Sequence, residues 1–267
     1  MTNTYETRLA FAKDIAWEAG SLAQKLYQER DAGFVAVKGL QDFVTLADRR
    51  VEELIRSEIA VHFPNDAVLG EEDGFSGNSE CVWVVDPIDG TANYMRGLPD
   101  WAVSIACCFG DEIRLGVIYA PKRDEMCWAE AGKGCFRNVA PANVSDCTRR
   151  DEALILLGRS GRASLQDYLN LVERIVESGM EYRRNGSAAV SLMDLAIGRA
   201  EGFHESHLNA WDALAGVLLV REAGGNVSCA QVPTFLERGG KVLAAAPQFE
   251  ARLANVVASE SNLARSR

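Results

Sequence analysis

Two aspartates three residues apart carry the most specific chemistry that this sequence offers. In Val84-Val85-Asp86-Pro87-Ile88-Asp89-Gly90-Thr91 the proline has no backbone donor for a sheet ladder. The segment therefore predicts a buried strand that stops at Asp86, followed by a tight loop on which both carboxylates converge. The same turn frees the Ile88 carbonyl. Hard oxygen donors packed this closely suit Mg²⁺, which takes few protein carboxylates and completes its octahedron with water and substrate phosphate. Without a cation the pair would repel. Next, Gly90-Thr91-Ala92-Asn93 has no bulky side chain at its start and can open a short helix, whose free N–H groups and positive dipole end would receive a phosphate.

Alone, such a segment is also an ordinary turn in which Asp86 caps and Asp89-Gly90 reverses the chain. It does not stand alone. Glu71, in the acidic turn Gly70-Glu71-Glu72-Asp73, reads singly as a solvated loop residue, and Asp212, in Trp211-Asp212, reads singly as a helix cap. The combination of these four acids points to a metal site.

The chain that must position them has 267 residues, ample for a core without disulfide or metal staples. It is 48% hydrophobic, 25% charged and has a formal net charge of −10, so no broad basic field draws in nucleic acid or anionic lipid. An anionic small molecule can still bind where a metal or helix terminus inverts the local sign. Seven scattered cysteines with no C-x-x-C pair point to a reducing, cytoplasmic setting. Charged residues interrupt the N-terminal stretch, which argues against a signal peptide, and no apolar run is long enough to span a membrane.

Apolar residues at helical spacing predict helices over about 7–30 and 45–63, the second closed by Pro64. Residues 81–85 read as a buried strand, and 102–109, 113–119 and 125–129 as a meander. Further on, 154–157 and 242–246 read as strands, and 165–177, 187–199 and 211–223 as helices, the last stopped by Gly224-Gly225. Strands and helices come in blocks, which favours a layered α+β fold over a doubly wound parallel sheet. The whole of 1–267 reads as a single domain, with a subdomain division placed near 143–150.

Four segments together resemble the inositol monophosphatase family of metal-dependent sugar phosphatases. They are Asp42-Phe43-Val44-Thr45-Leu46-Ala47-Asp48, Gly70-Glu71-Glu72-Asp73, Trp83-Val84-Val85-Asp86-Pro87-Ile88-Asp89-Gly90-Thr91-Ala92-Asn93-Tyr94, and Trp211-Asp212-Ala213-Leu214-Ala215-Gly216 running into Glu222-Ala223-Gly224-Gly225. The resemblance implies an α-β-α-β-α sandwich, a homodimer, and Mg²⁺-dependent, lithium-sensitive phosphomonoester hydrolysis by a metal-activated water, with about two or three ions per site. Carried over by position, Glu71, Asp86 and the Ile88 carbonyl resemble ligands of one Mg²⁺, and Asp86, Asp89 and Asp212 those of a second. Asp48 and Thr91 resemble a dyad that orients the attacking water, with the Gly90 and Thr91 N–H groups on the phosphate. On the substrate side the resemblance places Lys38, Gly186, Ser187, Ala188 and Glu205, the last a carboxylate suited to polyol hydroxyls.

His204 and His207 have H-x-x-H spacing but no neighbouring cysteine to complete a tetrahedral zinc set, and Arg183-Arg184 reads as a surface or dimer-contact pair rather than a phosphate clamp. The expected activity is hydrolysis of a small polyol phosphate, myo-inositol 1-phosphate first. Histidinol phosphate, fructose 1,6-bisphosphate and 3'-phosphoadenosine 5'-phosphate are the alternatives, the bisphosphates disfavoured because no added basic cluster stands out in the sequence. A reading of a different class is a regulatory protein that binds transcription machinery. The intact acidic set favours an enzyme, because clustered carboxylates cost stability unless something neutralises them.

Overall fold

The computed structural model describes residues 4–30, 35–39 and 42–258. The N-terminal periodicity forms α1 (Thr4–Gln28), which buries Ala12, Ile15, Ala16, Ala19 and Ala23 along one stripe. Where the sequence suggests only a turn-rich stretch, β1 (Val35–Gly39) and β2 (Asp42–Thr45) pair as an antiparallel hairpin. This leads into α2 (Leu46–His62), with Ala47, Val51, Ile55 and Ile59 inward.

The central meander is an eight-stranded sheet. Its strands in chain order are β3 (Ala67–Gly70), β4 (Gly74–Ser76), β5 (Cys81–Asp89), β6 (Ala102–Phe109), β7 (Glu112–Ala120), β8 (Glu125–Glu130), β9 (Cys135–Arg137) and β10 (Ala140–Ala142), and across the sheet they run β10-β9-β8-β7-β6-β5-β3-β4. A short helix, α3 (Thr91–Met95), interrupts the chain between β5 and β6. All nine residues of β5 are buried. Val82 and Val84 join one apolar core while Trp83 and Val85 join another, so the strand is covered on both faces, which explains its unbroken apolar run.

The second half contributes β11 (Leu154–Leu157), α4 (Leu165–Glu177), β12 (Glu181–Arg183), α5 (Ala188–Ala196), β13 (Gly202–Leu208), α6 (Ala210–Glu222), β14 (Asn226–Ser228), α7 (Val232–Arg238), β15 (Gly240–Ala245) and α8 (Glu250–Ala258). Its five strands run β12-β11-β13-β15-β14. α5 and α6 share a core with residues of both sheets, α1 and α2 pack on the far face of the larger sheet, and α4 and α8 cover the far face of the smaller one. The result is the layered α-β-α-β-α sandwich of an α+β fold.

Two sequence readings need correction. Pro87 does not end β5. The strand runs on to Asp89, and the three-residue step from Asp86 to Asp89 faces a two-residue step from Ser104 to Ala102 on β6, a bulge that removes the need for a proline N–H. The helix expected over 187–199 ends at Ala196, because Gly198 turns into the left-handed region at φ 77°.

Candidate active site

The bulge on β5 is what aims the acids. Within it the Ile88 N–H donates to Asp86 Oδ1 at 3.0 Å, fixing one carboxylate against its own backbone. Asp89 is fixed from the other side, where its Oδ2 accepts from the Ser187 hydroxyl and, at 2.6 Å, from the Ala189 N–H in the first turn of α5. Ser187 also caps α5 by accepting from the Val190 N–H, so it orients Asp89 as well as lining the site. Asp212 arrives at the start of α6 in a capping box with Asn209, whose N–H donates to Asp212 Oδ2 at 2.7 Å. The cap and the cluster are therefore the same residue.

Carboxylate oxygens of Asp86, Asp89 and Asp212 all lie within 4.8 Å of one another. Burial drives the Asp86 pKa well up, and the charges of Glu71, Asp89, Asp212 and Asp48 push it further. Asp89 rises to about 6 through burial, opposed by its bonds to Ser187 and the α5 backbone. Asp212 rises to about 7 through burial and the charge of Asp89. Among the described residues no Lys or Arg forms an ion pair with these three aspartates. A set of hard oxygen donors whose joint ionisation is disfavoured without a compensating cation fits a divalent ion such as Mg²⁺.

Glu71 stands on the turn after β3, and that turn has its own buried support. Glu52, fully buried on α2, accepts from the N–H groups of Glu72 at 2.8 Å and Asp73 at 3.0 Å, and Arg56 pairs with it at 2.7 Å. A side chain at Gly70 would collide with the Glu52 carboxylate, so glycine is what lets the turn close over it. Sequence reasoning missed Glu52, which looks like any helix-face glutamate.

Asp48, 1% exposed in the first turn of α2, accepts from the Thr91 hydroxyl at 3.0 Å. Gly90 turns the chain into α3 with φ 92°, and a Cβ there would lie 2.9 Å from the Asp100 carbonyl, so the turn calls for glycine. Asn93 ties α3 to the opposite lip by donating to Asp100 O at 2.6 Å and Asn185 O at 2.8 Å, a link the sequence gave no sign of.

Of these groups Glu71, Asp89 and Asp212 line a cavity of about 740 Å³, together with Gly186, Ser187, Ala188 and Glu205. Burial and the charges of Asp212 and Asp89 raise Glu205 to about 8. Lys38 is on β1, and its side chain lies outside the described residues. His204 and His207 do not form a pair: His204 is buried with Nδ1 against the Val242 carbonyl, whereas His207 lines the cavity.

The expectation that no basic cluster accompanies the site is overturned. Arg159, Arg162 and Arg184 all line the cavity, and all three are exposed, as a surface reading of Arg184 expects. Arg184 is distant in sequence from the other two, but β11 runs parallel to both β12 and β13, so the loops leaving these strands emerge at one edge.

The model of the inositol monophosphatase family matches residues 4–262. Among similar proteins, Nus factor SuhB of Escherichia coli K12 is 38% identical over 224 residues, covering 82% of this chain and 84% of that protein. Nus factor SuhB of Pseudomonas aeruginosa is 35% identical over 257 residues, covering 93% and 95%. Among solved structures, the extragenic suppressor protein suhB of Bartonella henselae superposes with TM-score 0.88 at 33% identity, covering 94% of this chain and 98% of that one. A Thermotoga maritima IMPase gives TM-score 0.86 at 29% identity, covering 96% and 99%.

Proposed function

Given that the chain belongs to the inositol monophosphatase family, we propose that the cavity is the active site of a magnesium-dependent phosphomonoesterase acting on a small polyol phosphate, with myo-inositol 1-phosphate as the reference substrate. The observation that carries this reading is the convergence of Asp86, Asp89 and Asp212 within 4.8 Å at an open cavity. Mg²⁺ held by Glu71, Asp86, the Ile88 carbonyl, Asp89 and Asp212 would supply charge neutralisation for the phosphoryl oxygens and acidify a water.

The protein's own groups do the rest by positioning. Thr91 donates to Asp48, which leaves its lone pairs to accept a proton from the attacking water and so to aim that water at phosphorus. The N–H groups of Gly90 and Thr91 hold a phosphoryl oxygen. Ser187 and the α5 backbone keep Asp89 in place, and Gly186, Ala188 and Glu205 meet the polyol.

Phosphate release from myo-inositol 1-phosphate, measured with millimolar Mg²⁺ and with excess chelator, tests the reading. Turnover that stops in chelator and in Asp86→Asn is the expected result, whereas equal turnover with and without chelator overturns it. The Nus factor names of the similar proteins favour a second reading, a partner of transcription machinery. Capture of that machinery by the immobilised Asp86→Asn chain would support a role independent of catalysis.

A further inference from the structure

The cavity lining carries both acids and cations, and Glu71, Asp89 and Asp212 are among the acids. Glu205 is another, on β13, with its carboxylate packed so closely on Gly158 that any side chain there would overlap it. Gly158 opens the loop after β11, and Arg159 and Arg162 follow within that loop. Arg159 and Arg162 therefore enter the lining from the loop that starts against the Glu205 carboxylate.

Arg162 is held in place. Its Nη1 lies 2.5 Å from His207 Nε2, and because a guanidinium only donates, His207 must accept there and carry its proton on Nδ1. Neither Arg159, Arg162 nor Arg184 forms an ion pair with a carboxylate among the described residues, although the chain carries a net charge of −10. Three guanidinium groups on a cavity wall with no ion-pair partner among the described residues, one of them fixed by a neutral histidine, are an arrangement for gripping an anion through forked hydrogen bonds.

We propose that the preferred substrate carries a second anionic group, phosphate or carboxylate, at the end of the molecule remote from the ester that is cleaved, and that Arg159 and Arg162, the latter positioned by His207, bind it. This rests on the phosphatase reading above and narrows its substrate class from neutral polyol phosphates to phosphorylated polyols with a further negative charge.

The test is a ratio of kcat/KM values. Fructose 1,6-bisphosphate and 6-phosphogluconate supply a second phosphate and a carboxylate, and myo-inositol 1-phosphate supplies neither. The wild-type protein should favour at least one of the two compounds that carry a second anionic group, and the Arg159→Gln/Arg162→Gln variant should lower that preference by about tenfold or more, chiefly through KM. Whichever anion shows the larger drop identifies the group bound. A wild-type preference for myo-inositol 1-phosphate, or a ratio untouched by the double substitution, overturns the proposal. If the wild-type protein hydrolyses none of the three, the phosphatase reading fails, and calorimetric binding of fructose 1,6-bisphosphate then decides the anion site separately: affinity that falls about tenfold in the variant supports it, and unchanged affinity overturns it.

Discussion

The Thr91 hydroxyl lies 3.0 Å from the Asp48 carboxylate and 3.1 Å from the Ile88 carbonyl, so its single proton has two acceptors and its lone pairs are left to accept. If this pair orients the attacking water, Thr91→Ala and Asp48→Asn should each lower kcat by about 10²-fold or more with little change in KM. The double variant should be little worse than either single one, because the two residues act as a unit. Steady-state kinetics of the three variants checks this, and additive losses would separate the roles.

Glu52 touches no substrate, yet it ties down the turn that carries Glu71. Glu52→Gln leaves Arg56 without its buried partner and should destabilise the fold by about 3 kcal/mol. It should also raise the Mg²⁺ concentration needed for half-maximal activity. Denaturant unfolding and an Mg²⁺ titration of turnover measure the two effects, and a stability loss with an unmoved titration would confine Glu52 to folding.

Asp86 gives a prediction with opposite signs in two conditions. Its charge is buried among like charges, so Asp86→Asn should leave the metal-free protein as stable as the wild type or more so, by on the order of 1 kcal/mol. Stabilisation by Mg²⁺ should shrink in the same variant. Melting curves in chelator and in millimolar Mg²⁺ show both.

The pH dependence follows from the raised carboxyl groups. Asp89 at about 6, Asp212 at about 7 and Glu205 at about 8 all lie above the range of an unfolded chain. Folding favours their neutral forms, so the stability they contribute to metal-free protein is complete in acid and is lost as pH rises through about 6 to 8. Cation binding needs the ionised forms of the aspartates and strengthens over the same window. The gap between melting temperatures with Mg²⁺ and with chelator should therefore widen from about pH 5 to about pH 8. A constant gap would mean that the acids do not meet the cation.

The acidic end of the site was readable in the sequence because its signals are local. Asp86, Asp89 and Gly90 fall within one turn, and Glu71 and Asp212 each sit in a short segment with its own turn or cap chemistry. Gly202-Phe203-His204-Glu205-Ser206-His207-Leu208 hid a central strand, because four polar residues interrupt it, Glu205 and His207 facing the cavity and His204 a backbone carbonyl. The basic end was illegible for a different reason. Arg184 joins Arg159 and Arg162 in one cavity lining only through the parallel register of β11 with β12, a long-range pairing that residue spacing does not encode. Pro87 misled in a third way, since a bulge accommodates the missing donor that would otherwise end a strand.

The central claim is that divalent cations convert this buried acidic knot into a receiver for a phosphate ester. Crystals soaked in Mn²⁺ with inorganic phosphate, and measured for anomalous scattering, test it most directly. Peaks among the carboxylates of Asp86, Asp89 and Asp212, with phosphate against the Gly90 and Thr91 N–H groups, are the predicted result. Carboxylates that hold no Mn²⁺ at millimolar concentration, or phosphate bound elsewhere in the cavity, would contradict it.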